Sequence, residues 1–247
     1  MGISSVKLVS FSGIDGAGKS TQIEAFCGQL QSSGFQFSRF TFWDDVVVLS
    51  RSREQASLRA FKGEKGVGSP DKPIRRRDKN VRSWYLTAAR LLFYILDAFS
   101  LCTVIARTAD SGVDFIIFDR YIYDELANLP LQSSLMRFYV RILLMFIPQP
   151  DVALLLDADP EAATLRKPEY PLEFVRHNRD AYLRLGRIVG MTVVPPLPIE
   201  QATEVIKDAV AEKCLERESA CPDIRVPYPL MSGSAKTSNS ENVSTSC

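Results

Sequence analysis

Eight consecutive residues constrain this chain more than any others. Gly13-Ile14-Asp15-Gly16-Ala17-Gly18-Lys19-Ser20 fits the spacing G-x-x-x-x-G-K-[ST] without a gap, and Thr21 follows. The segment comes after a short apolar run at 6–11 and before a helical pattern at 20–31, closed by Gly34. Glycines let a backbone fold tightly around an anion with its N–H groups turned inward. A helix starting at Lys19 or Ser20 aims its partial positive end at the same point. The loop from Gly13 to Thr21 (Gly13, Asp15, Gly16, Ala17, Gly18, Lys19, Ser20 and Thr21) is therefore expected to hold the phosphates of ATP or a close relative. Lys19 would reach the β and γ phosphates, and the Ser20 hydroxyl would ligate Mg²⁺.

The rest of the pattern agrees with such a loop. Strands are expected at 6–11, 35–42, 113–118, 152–156 and 191–194. Helices are expected at 20–31, 46–61, 81–109, 131–147, 173–189 and 199–214. Strands that are short unbroken apolar runs, alternating with helices, point to a parallel sheet covered on both faces. The expected class is α/β, a P-loop kinase fold in a single domain over residues 1–215. A polar Ser-, Asn-, Thr- and Pro-rich tail at 216–247 is expected to be disordered. Residues 62–80 carry three Gly, two Pro and the basic run Arg75-Arg76-Arg77 with Lys72 and Lys79, a loop by composition.

Bulk properties exclude several classes. Thirty basic and 29 acidic residues leave a net charge of +1, so no global basic field favours nucleic acid. Five cysteines at wide spacings contain no C-x-x-C pair, and the single histidine is His177, so neither a zinc site nor a disulfide framework is expected. A reducing, cytoplasmic setting fits. The start of the chain has no signal-peptide pattern, and Val6 stands where a myristoylation signal needs Ser or Thr. The apolar stretch at 91–106 is broken by Asp97, Ser100 and Thr103, falls short of a span, and is expected to be a buried helix. No membrane partner is expected.

A phosphate loop that holds Mg²⁺ needs a carboxylate at the end of a neighbouring strand. Two apolar runs end in Asp, at Asp119 and Asp157. Asp119 is followed at once by Arg120, and a cation beside the metal carboxylate suits charge neutralisation in phosphoryl transfer. Asp119 is expected to be the functional one, with Ser20 as its partner on the metal. Asp157 has the simpler role of a strand-end residue before a helix with Pro160 in its first turn.

These residues resemble thymidylate kinase in content and order. The likeness runs through Gly13 to Thr21, then Asp119-Arg120-Tyr121, then Pro150-Asp151-Val152 to Asp157-Ala158-Asp159-Pro160-Glu161, with Leu91-Leu92-Phe93 in place of that family's Leu-Leu-Phe helix. It spans about residues 6 to 212. The resemblance implies transfer of the ATP γ-phosphate to a deoxynucleoside monophosphate, dTMP, with Mg²⁺, in a chain that either stands alone or forms a homodimer. By that likeness Asp15 would touch the acceptor's sugar hydroxyl, Arg120 would bridge donor and acceptor phosphates, and Arg166 would belong to a lid over ATP, as in bacterial-type members. The expected catalytic residues are Lys19, Asp119, Arg120 and Arg166.

The acceptor side departs from that family. Phe42-Trp43-Asp44-Asp45 replaces its Arg-Glu-Pro, Asp97 takes the place of an acceptor arginine, and Asp124-Glu125 and Asn128-Leu129 replace its Ser-Ser and Tyr-Gln. Asp97 is either a buried acid paired with an arginine or part of the acceptor site. Trp43 either stacks on a base or packs. Arg176 and Arg179 either reach phosphates or lie at the surface. Three functions compete: a thymidylate-kinase-like phosphotransferase, a P-loop kinase for a different small-molecule acceptor, and a nucleotide-binding regulatory protein without turnover.

Overall fold

The computed structural model describes residues 6–48 and 84–220. Five strands form one sheet: β1 (Lys7–Ser12), β2 (Phe37–Thr41), β3 (Phe115–Asp119), β4 (Val152–Leu156) and β5 (Thr192–Val194). Their order is β2-β3-β1-β4-β5, and every pairing is parallel. Helices α1 (Lys19–Ser32) and α7 (Ile199–Ala220) pack on one face. The other face carries α2 (Trp84–Ala109), α3 (Ile122–Leu126), α4 (Ser134–Leu144) and α6 (Leu172–Val189), while α5 (Pro160–Arg166) sits beside the glycine loop. The expected α/β class is what is found. The topology is one that P-loop kinases adopt, though not theirs alone.

The unbroken apolar strands follow from two-sided burial. In β3, Phe115 and Ile117 enter the layer of Ile23, Phe26 and Ile206, whereas Ile116 and Phe118 enter the layer of Leu101, Tyr121 and Leu126. Phe118 meets Tyr121 edge to face at 5.3 Å, and Phe26 meets Phe115 in the same manner at 6.2 Å. Ile117 is fully buried; its truncation to Ala is expected to cost about 2–5 kcal/mol.

The strand order positions the site. From the central β1 the chain goes out to β2 and β3 on one side, and later to β4 and β5 on the other. Connections diverge at the carboxyl end of β1 and leave a crevice there, where open α/β sheets bind ligands.

The helices depart from expectation in places. The five-residue π turn Phe42–Val46 and the short helix α3 lie outside the expected helices, whereas α5 is the helix expected after Asp157, with Pro160 in its first turn. Val46 closes that turn and Val47 is extended, so no helix begins at 46; the rest of the 46–61 expectation, and the basic loop 62–80, lie outside the described residues. Helix α7 continues to Ala220, beyond the boundary set at 215, because Glu, Lys, Arg and Ala extend a helix without apolar support. Residues 221–247 lie outside the described ones.

The stretch expected to be a buried helix is buried on one side only. Tyr94, Asp97, Ala98 and Leu101 face inward, but Leu92 and Phe99 are 59% and 68% exposed. The apolar segment is also longer than 91–106. Over Ala88–Ala109 it is long and apolar enough to cross a membrane, since Asp97 alone does not offset its neighbours.

Candidate active site

A cleft of about 670 Å³ opens at the carboxyl edge of the sheet. Its lining includes Asp15 to Gln22, Thr41, Asp119, Arg120, Asp157, Arg166 and Lys167. The four residues expected to act in catalysis, Lys19, Asp119, Arg120 and Arg166, are thus brought together, with Ser20 and Thr21 exposed on the same wall. Gly13 lies beneath, outside the lining.

The glycines have steric reasons. Gly13 has φ +143°, and a Cβ there would lie 2.4 Å from the Leu156 carbonyl oxygen. Gly16 has φ +82°, and its Cβ would lie 2.5 Å from the carbonyl oxygen of Ala163 in α5. Both are distances that no side chain tolerates, and both backbones favour glycine. Gly18, also left-handed, caps α1 without a side chain, and the first turn of α1 holds no acid. The N–H groups at the start of α1 therefore meet no carboxylate of that turn and suit an incoming anion.

Lys19 is buried. Its Nζ donates to the carbonyls of Gly13 and Ile14, at 2.8 Å each, so the lysine braces the loop. Burial, helped by nearby Arg120, pulls its pKa down to about 8.

Arg120 follows β3 in the left-handed conformation, φ 69°, which is unusual for a residue with a side chain. Its N–H donates to the Phe11 carbonyl at 2.9 Å, tying the end of β3 to β1. The guanidinium hydrogen-bonds Asp15 and lies 3.5 Å from Asp124 Oδ1. Burial works against the charge on Arg120, but Tyr182, Asp124 and Asp15 outweigh it and hold the group protonated beyond its usual range. Burial likewise opposes the charge on Asp15, yet Arg120 and Lys19 keep its carboxyl below the ordinary value.

Asp124 is the buried anchor of this corner. Ser12 Oγ donates to it at 2.6 Å, the Tyr121 N–H at 3.1 Å, and the Tyr182 hydroxyl at 2.7 Å. Both oxygens of the carboxylate are thus engaged, as a charge at 4% exposure requires.

Asp119 lies across the cleft, where Arg39 of β2 reaches its Oδ2 at 3.2 Å. Asp157, which also lines the cleft, is gripped by Arg179 of α6 through two hydrogen bonds of 2.6 Å, which tie Arg179 down. Arg176 pairs with Glu161 and Glu173 at the surface. Arg166 is exposed at the end of α5, with Nε 3.2 Å from the Ala162 carbonyl. Asp97 accepts the Val48 N–H at 2.9 Å and so fastens the chain after the π turn. Trp43 is 38% exposed within that turn.

The sequence reading missed Arg39 and undervalued Asp124. Arg39 pairs in register with Ile117, two residues before Asp119, and that register carries no local signal. Asp124 was visible only as a departure from the resemblance. A buried acid three residues after Tyr121 that returns to its N–H is, however, a helix-capping pattern.

In comparison with known proteins, the chain matches no family model and no curated sequence.

Proposed function

We propose that this chain is an ATP-dependent phosphotransferase of the nucleoside monophosphate kinase kind, as its resemblance to thymidylate kinase implies. One observation supports this above the others: Arg120, fixed in a left-handed backbone between Asp15 and Asp124, shares a cleft with Lys19 and the open start of α1. Two cations and a helix N-terminus on one cavity suit a polyphosphate whose negative charge shifts as a phosphoryl group moves.

In this reading the loop N–H groups and Lys19 hold the donor phosphates. An acceptor oxygen attacks the γ-phosphorus while the bond to the β–γ bridging oxygen breaks, and ADP leaves with that electron pair. Arg120 lies between donor and acceptor and offsets the charge on both, and Arg166 covers the donor side. Ser20 and Asp119 are the hard-oxygen donors that would hold Mg²⁺, and the ion would supply charge neutralisation of the β and γ phosphates.

A second reading, an acceptor other than dTMP, is favoured by the carboxylates. Asp15 and Asp124 flank Arg120, and Asp97 is committed to backbone. A dianionic acceptor phosphate meets two negative neighbours there. Each lost charged hydrogen bond costs about 1.5–3 kcal/mol, roughly 10- to 150-fold.

Purified protein with ATP, Mg²⁺ and a panel of nucleoside monophosphates tests both. Transfer to a panel member that Lys19→Ala abolishes is expected, with a dTMP specificity constant below ~10⁴ M⁻¹s⁻¹. ATP binding without transfer to any acceptor would favour a regulatory nucleotide-binding protein instead.

A further inference from the structure

Arg120 meets a carboxylate on each of its terminal nitrogens. Nη2 donates to Asp15, and Nη1 lies 3.5 Å from Asp124 Oδ1. The two holds differ in kind. Asp15 belongs to the glycine loop and lines the cleft, with 27% of its side chain exposed. Asp124 stands behind the cleft wall, outside its lining, at 4% exposure.

Asp124 is itself fixed from several elements. Its Oδ2 accepts from Ser12 at the end of β1 and from the N–H of Tyr121, just before α3. Its Oδ1 accepts from the Tyr182 hydroxyl of α6. Three residues before Tyr182, Arg179 takes both oxygens of Asp157 beyond β4, so α6 is pinned to the sheet edge at two points. Three neutral donors would satisfy a purely structural acid. The guanidinium beside it is a further feature, and that group reaches the cleft.

A phosphate entering the cleft competes with Asp15 for Arg120, because both approach the guanidinium from the same space. It does not reach Asp124. Once substrate draws Arg120 from Asp15, Asp124 is the anion that still holds it. A guanidinium is planar, so a fixed Nη1 sets the direction of its other N–H groups. Small errors in such a direction weaken the contact with a moving phosphoryl group.

We infer that Asp124, braced by Tyr182 and Ser12, is a positioning residue for phosphoryl transfer, keeping Arg120 aimed at the transferring group after Asp15 has released it. The inference rests on the phosphotransferase reading above. Asp124 touches no substrate and acts through Arg120 alone.

Kinetics with ATP, Mg²⁺ and the best acceptor of the nucleoside monophosphate panel test the role in transfer. Asp124→Asn should lower kcat about 10- to 100-fold and leave KM for ATP within about twofold. Tyr182→Phe, which keeps the carboxylate, should lower kcat about fivefold, as for one hydrogen bond. In an Arg120→Lys background neither substitution should lower kcat by more than about twofold, because the group they aim is gone. Equal losses in both backgrounds, or a raised KM with kcat unchanged, would overturn the proposal. A second readout needs no turnover. In arginine-labelled protein, separate ¹⁵Nη signals of Arg120, identified by their absence in Arg120→Lys, should persist in Asp15→Asn. They should merge when Asp124→Asn is added, as rotation of the guanidinium is freed. Merging in Asp15→Asn alone would also overturn the proposal, whatever the activity. Intact signals in a protein that transfers phosphate to no acceptor would refute the kinase reading and, with it, any role in transfer.

Discussion

Arg39 and Asp119 are joined across neighbouring parallel strands, guanidinium to carboxylate at 3.2 Å, at the place where the phosphate loop expects a metal carboxylate. The cation and Mg²⁺ would compete for the same oxygen. The pair is partly exposed, so breaking it is worth about 0.2–1 kcal/mol. Arg39→Ala is therefore expected to lower the Mg²⁺ concentration at half-maximal activity by about two- to fivefold, as read from a metal titration of turnover. An increase would mean that Arg39 positions Asp119 for the metal.

Asp119→Asn should cost far more Mg²⁺-dependent activity than Asp157→Asn, because Asp119 stands beside Arg120 with a single 3.2 Å contact to Arg39, whereas Arg179 takes both oxygens of Asp157 at 2.6 Å. The second variant should show itself in the melting temperature, with a fall of a few degrees. Kinetics and thermal melts on the two proteins decide this, and the opposite ranking would mean that the wrong strand has been assigned to the metal.

Lys19→Ala should reduce turnover by at least 100-fold. The pH response separates charge from packing. Burial lowers the Lys19 pKa from 10.5 to about 8, so the free protein loses this ammonium as pH rises through 8, and ATP affinity should fall above that point. Lys19→Arg should flatten the fall. The unfolded chain keeps its lysine proton up to about 10.5, so between 8 and 10.5 the unfolded state binds more protons and stability at this residue rises with pH. Isothermal titration from pH 7 to 9.5 checks the binding trend, and an affinity flat across pH 8 would contradict it.

Asp124→Ala leaves the Ser12 and Tyr182 hydroxyls and one side of Arg120 without their acceptor, and should cost about 3–5 kcal/mol of stability. Tyr182→Phe removes one donor only and should cost about 1 kcal/mol. Denaturant titrations give both values; equal losses would show that the carboxylate is not the centre of the network.

Much of the sheet is legible in the sequence because each strand buries both faces and so appears as an apolar run with no alternation. The loop is legible too, since its glycines answer local contacts at Leu156 and Ala163. Strand order and register are not, for they depend on which run meets which across the whole chain, and Arg39 beside Asp119 is a product of register. Helix α3 is only five residues long and held by a side chain returning to its own N-terminus, too short for any periodicity to show. The outer stripe of α2 carries the same signal as core, because apolar spacing marks the faces that avoid water without saying what covers them.

The close approach of Gly16 to Ala163 has a mechanical consequence. The glycine loop rests directly on the backbone of α5 with no side chain between them to act as a cushion. Three residues further along that helix, Arg166 rides on the same support. A phosphate chain that lifts the loop must push α5, and a displacement of α5 must press back on the loop. Under the proposed function, seating of a donor and the placement of Arg166 would then be two ends of one linkage, and a single methyl group added at position 16 would disturb both.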